Sequence, residues 1–132
     1  MKAEIQKEWY SVEQCKANPR KLYVFGDNVF RKGNRGQAVI RNCTNSIGVA
    51  TKILPSTTEE SYFTGIYDEY QIVANDLSAI INEYFTGNYD MIVFPADGLG
   101  TGLSELQTRA PELLEWMNFL ISTIFEIEYN PK

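Results

Sequence analysis

At 132 residues, 44% of them hydrophobic and including seven Phe, eight Tyr and two Trp, the chain can bury one core without staples and reads as a single domain, 1–132. A formal net charge of -5 argues against a broad footprint on nucleic acid or an anionic membrane, and no apolar run approaches a bilayer span. The absence of His removes the commonest general base, and two cysteines supply neither a disulfide framework nor a zinc spacing, so no metal and no cofactor are expected.

The N-terminus, Met1-Lys2-Ala3-Glu4, shows no apolar export region, so the expectation is a cytoplasmic protein. Ile5 to Tyr10 can add an edge strand, and Cys15 and Cys43 read as plain buried or half-buried thiols. Leu22-Tyr-Val-Phe25 is a short β-branched and aromatic run that stops at Gly26-Asp27-Asn28, which predicts a buried strand. The stretch Gly33 to Ile40 predicts a loop followed by a short helix. Ile47 to Thr51 predicts a second strand, closing at Lys52 and a turn region that begins at Pro55.

From Ile66 to Phe85, apolar residues recur at three- and four-residue steps (Ile66, Tyr70, Val73, Leu77, Ile80, Ile81, Tyr84), which predicts a helix stopped by Gly87-Asn88. Met91-Ile-Val-Phe94 is a further strand. A last helix is predicted from near Thr108, with Pro111 tolerated in its first turn and Leu113, Met117, Ile121 and Ile124 on its buried stripe. Phe125 to Tyr129 can add another edge strand. Strands alternating with helices and glycine-rich loops give an α/β class, with a ligand site expected at the strand carboxyl ends.

Two segments carry chemistry. Phe94 to Leu103 places Gly98, Gly100 and Gly102 at alternate positions after a buried strand, a spacing that lets backbone N–H groups approach a phosphate. It is no Walker loop, since no Lys-Ser or Lys-Thr follows; a plain glycine turn is the competing explanation. Gly26 to Ala38 offers Asn28 for ribose hydroxyls and the amides of Gly36 and Gln37 for a second phosphate, against an ordinary Asx turn at Asp27-Asn28. Arg31, Lys32, Arg35 and Arg41 form a basic cluster, which either steers an anion or makes a solvated face.

Three blocks, Val24-Phe-Gly-Asp-Asn28 with Gly33–Ala38, Ile47-Gly-Val-Ala-Thr-Lys52, and Pro95–Leu106 with its Gly100-Thr-Gly-Leu103 core, resemble the macrodomain family. The likeness is to the branch that includes the terminal ADP-ribose protein glycohydrolase and short phage and bacterial domains. The resemblance implies a three-layer α/β/α fold with a mixed central sheet, a first loop that holds the distal ribose through Asn28, and a glycine loop that wraps the diphosphate. It also implies a ligand-binding set of Gly26, Asp27, Asn28, Gly36, Gln37, Ala38, Thr51, Lys52, Pro95, Asp97, Gly98, Leu99, Gly100, Thr101, Gly102 and Leu103.

In that branch a Lys attacks the ribose and an Asp past the glycine loop assists. Lys52 matches the first, but Ser104 stands at the second, leaving Asp97 as the nearest substitute carboxylate or else a turn residue. Before Leu22 no Asp can be assigned to the family's adenine-reading position. The implied partner is therefore ADP-ribose or a related NAD-derived nucleotide, bound rather than processed. The alternatives are a hydrolase that removes ADP-ribose from protein or nucleic acid, or a terminal phosphate from ADP-ribose, and a relative with a vestigial cleft.

Overall fold

The computed structural model describes residues 1–131. Four strands, β1 (Ala3–Gln6), β2 (Lys21–Asn28), β3 (Ser46–Lys52) and β4 (Met91–Pro95), form one sheet in the order β1-β4-β2-β3. Side chains alternate across each strand. Leu22, Val24, Ile92 and Phe94 therefore point into a main core on one face, while Tyr23, Phe25 and Val93 point into a smaller one on the other. Helices α2 (Tyr67–Tyr84) and α4 (Pro111–Phe125) supply Val73, Leu77, Ile80, Leu113, Met117 and Ile121 to the main core. Helix α1 (Val12–Ala17) and a 3-10 turn at Gly36–Ile40 supply Cys15, Ala38 and Ile40 to the other.

The α/β class holds, but the sheet is not mixed: β1 with β4, β2 with β4 and β2 with β3 all pair parallel. Each of the three connections between successive strands is a crossover segment rather than a tight hairpin, and a crossover returns the chain in the same direction. Among the described residues the antiparallel contribution is a single bridge between Lys52 and Tyr62.

Strand β2 runs past Phe25 because Gly26, Asp27 and Asn28 still pair with Val49, Ala50 and Lys52, through a register shift between Asp27 and Asn28. The N-terminal strand ends at Gln6, short of the expected Tyr10. Tyr10 is instead buried beside Tyr23, and its hydroxyl donates to the carbonyls of Val24 (2.7 Å) and Val93 (3.2 Å). The expected strand at Phe125 to Tyr129 does not form. Glu126 takes a left-handed conformation (φ 56°) that ends α4, and the Tyr129 hydroxyl turns back to donate to the Pro95 carbonyl at 2.6 Å.

Helix α1 had no apolar periodicity to announce it, yet Ser11 and Gln14 close a reciprocal capping box on its first turn. Helix α2 lies within a residue of its expected ends, and the Glu69 carboxylate accepts from the N–H groups of Thr64, Gly65 and Ile66. The last predicted helix is two: α3 (Leu106–Arg109) stops at Ala110, and Pro111, which has no N–H to lose, opens α4. No helix among the described residues is long and apolar enough to cross a membrane.

Gly48 explains a glycine inside a strand. The Asp27 side chain folds over it, so a Cβ there would lie 2.8 Å from the Asp27 Cβ. Gly48→Ala should lower the stability by about 1–3 kcal/mol, the usual cost of overpacking, read as a lower urea midpoint with an unchanged slope.

Candidate functional site

The connection leaving β2 passes through the 3-10 turn over the smaller core, whereas the one leaving β4 passes through α3 and α4 over the main core. Neighbouring strands whose connections part to opposite faces open a crevice at their carboxyl ends. A cleft lies there in two adjoining lobes of about 320 Å³ and 390 Å³ that share Gly26, Arg35, Leu103 and Ser104 as walls. Both volumes fall in the range of small-molecule sites.

The first lobe is lined by Asp27, Asn28, Ala38 and Lys52 from the expected set, together with Lys32, Gly33, Asn34, Arg41, Pro55, Ser56 and Thr57. Gly36, Gln37, Thr51, Asp97, Gly100, Thr101 and Gly102 line the second, and Leu103, 59% exposed, belongs to both. Pro95, Gly98 and Leu99 line neither. Pro95 ends β4 in the interior, Gly98 spends its carbonyl on Gln37, and the Leu99 side chain is part of the main core. The 55–57 turn carried no signal beyond its turn residues. It enters the first lobe because Lys52 and Ser61 fold the chain back there.

Electrostatics divide the basic cluster. The Asp27 carboxylate is buried and accepts from Arg41 Nη2 (2.5 Å), Arg41 Nη1 (3.0 Å), Arg31 Nη1 (3.4 Å) and the Asn28 N–H (2.8 Å). Arg41 also donates to the carbonyls of Gly33 and Lys32, and Arg31 to Asp76 at 2.6 Å. Those two arginines are therefore committed to structure. Lys32 and Arg35 make no ion pair among the described residues, so their charge faces the cleft unneutralised.

The side chain of Asn28 holds its own loop: Nδ2 donates to the Lys32 carbonyl at 2.7 Å and Oδ1 accepts from the Lys32 N–H at 3.3 Å. One amide hydrogen and one lone pair are left over for a ligand. Gln37 is a strut across the crevice, where its Oε1 accepts from the Gly26 N–H and its Nε2 donates to the Gly98 carbonyl, both at 2.8 Å.

The N–H groups of residues 99–104 and 33–37 donate to no acceptor among the described residues. Leu99 and Gly100 are buried, where an unpaired N–H is costly. Together with Arg35, the free amides at 36, 37 and 100–104 make the second lobe a concave donor surface suited to an anion.

Lys52 and Asp97 are not brought into one lobe. Lys52 is buried, its Nζ donates to the Ser56 carbonyl at 2.8 Å, and it lies 4.4 Å from the Tyr62 ring centre. Burial lowers its pKa, Glu105 opposes that shift, and Arg109 adds to it. Asp97 is exposed, and its carbonyl accepts from the Thr101 hydroxyl. Ser104 is buried with its hydroxyl 2.6 Å from that of Thr51, so it packs the floor between the lobes.

The model of a family of unknown function, DUF7831, matches residues 5–119. The chain belongs to that family. No curated protein and no solved structure matches it. The matched span contains all four crevice segments of this member: the β2 end, the 33–38 loop, the β3 end and the glycine loop.

Gln37→Ala should cost about 1–3 kcal/mol, since it leaves the Gly26 N–H and the Gly98 carbonyl unpaired. Chemical denaturation measures the loss, and faster amide exchange confined to 26–38 and 96–104 would locate it.

Proposed function

We infer that the protein binds ADP-ribose or a closely related NAD-derived nucleotide in this cleft, with the diphosphate in the second lobe and the distal ribose toward the first. The observation that carries this is the convergence of two runs of unpaired backbone N–H groups, 36–37 and 100–104, beside the unpaired guanidinium of Arg35. Such amides meet an oxyanion at no cost of reorganisation, and each charge-assisted bond is worth more than a neutral one. In the first lobe Lys32, Asn34 and the remaining capacity of Asn28 are polar groups of the kind a ribose or a terminal anion engages. The motif resemblance to macrodomains supports the same ligand.

Binding is favoured over hydrolysis. A nucleophilic Lys needs a free Nζ and a second positioned proton-transfer group. Here Nζ is held on the Ser56 carbonyl and Asp97 faces the other lobe.

Calorimetric titration with ADP-ribose, NAD and AMP tests the reading, with ADP-ribose expected to bind and AMP to bind much more weakly for want of a diphosphate. The glycine loop supplies the control. A Cβ on Gly102 meets nothing within 4 Å, whereas one on Gly100 (φ 81°) would lie 2.8 Å from the Thr51 Cβ and closer still to Leu106. Gly102→Val should therefore keep the wild-type melting temperature and lose ADP-ribose affinity, while Gly100→Val loses stability as well. Arg35→Ala should weaken ADP-ribose by about 1.5–3 kcal/mol, the worth of a hydrogen bond to a charged group. Undiminished binding by folded Gly102→Val sinks the phosphate assignment.

Release of ADP-ribose from a modified peptide or from modified DNA should not exceed the blank. Turnover that vanishes in Lys52→Ala would put the hydrolase in its place.

A further inference from the structure

On the face of the sheet opposite α2 and α4, Cys15 of α1 and Cys43 line a single cavity of about 490 Å³, separate from the cleft. Cys15 is fully buried in the smaller core, and Cys43 packs against that core from a half-exposed position. We propose that Cys15 and Cys43 are a redox pair that closes into an internal disulfide when a hydroperoxide reaches Cys43, and that closure loosens the first lobe of the cleft.

The order of events follows from exposure. Cys43 is the thiol that a small oxidant can meet. Its thiolate attacks the outer peroxide oxygen, the O–O bond breaks, and the alcohol leaves with the proton Cys43 has given up, so that Cys43 becomes a sulfenic acid. The Cys15 sulfur then displaces the hydroxyl, an S–S bond forms, and the Cys15 proton departs with that hydroxyl as water. Two thiols and one hydroperoxide give one disulfide, one alcohol and one water. Burial pushes the Cys15 thiol up to about 12, with Cys43 the next influence on it. Burial thus disfavours the Cys15 thiolate, which leaves Cys43 as the sulfur that meets the oxidant first.

Closure brings the sulfurs to about 2.05 Å and fixes the separation of the two Cα atoms, so it constrains the segment that carries Cys43. That segment is taut. The Ser46 hydroxyl donates to the carbonyls of Arg41 and Cys43, and the Cys43 N–H donates to the Ile40 carbonyl. A shift of Cys43 on closure is therefore passed to Arg41, whose guanidinium joins Asp27 to the carbonyls of Gly33 and Lys32 on the wall of the first lobe.

The test treats the full chain with tert-butyl hydroperoxide and uses no nucleotide, so it stands apart from the ligand assignment. Titratable thiols in the denatured product should fall from two per chain to none, peptides containing Cys15 and Cys43 should appear linked, and dithiothreitol should restore both. The Arg31 and Lys32 N–H groups are the ones in this loop that donate to Asn28, and their amide exchange should be several-fold faster in the linked protein. Cys43→Ser should resist the same peroxide dose, and Cys15→Ser should divert Cys43 to sulfinic acid or to intermolecular dimers. The pair is overturned if wild-type protein keeps both thiols or itself gives those diverted products; a linked protein with unchanged exchange at Arg31 and Lys32 overturns the coupling to the cleft.

Discussion

The buried carboxylate of Asp27 organises the carboxyl end of the sheet. A carboxylate removed from water costs several kcal/mol unless it is paired and hydrogen-bonded, and here two arginines and a backbone N–H meet it. Its neighbours are arranged around that requirement. Position 48 carries no side chain because the carboxylate occupies the space, and the β2–β3 register slips just after Asp27. Arg41, drawn in from the far side of the 33–40 segment, then gathers the Lys32 and Gly33 carbonyls with its remaining donors. The exposed loop that follows β2 is thereby tied to the sheet by the Arg41–Asp27 ion pair together with the hydrogen bonds between Asn28 and Lys32.

This arrangement separates charges that hold the fold from charges that face the cleft. Of four neighbouring basic residues, Arg31 and Arg41 are neutralised by Asp27 and Asp76, while Lys32 and Arg35 have no acidic partner among the described residues. The cleft is therefore locally positive in a chain whose net charge is -5. Field focusing in a concave site lets such a local excess attract an anion despite an acidic whole. The Gln37 strut spans the crevice and sets the distance between the two amide runs, so the donor surface is held in place by the chain's own hydrogen bonds.

Much of the site was legible as segments and little of it as contacts. The glycines of 98–102, Asn28 and Lys52 fell at strand ends because punctuation and hydropathy mark where strands stop, and crevices in α/β sheets form there. What each side chain does there was not legible. Asn28 reads as a ribose ligand, yet it spends half its capacity on Lys32. Leu99 reads as part of a phosphate loop, yet its side chain is core and only its N–H is free. Lys52 and Asp97 read as a pair and face different lobes.

Local order was determined by the sequence alone: the 3.6-residue stripe of α2, the apolar runs of β2, β3 and β4, and the glycine punctuation after β4 each depend on residues within one segment. Tertiary structure decided the rest, because those features are products of long-range pairing. Whether the sheet is parallel depends on how crossovers return. The helix at Val12–Ala17, too short for a stripe, depends on a cap and on a core to receive Cys15. Which cations are free depends on where Asp27 lies, fourteen residues from Arg41 in the chain and one hydrogen bond away in space.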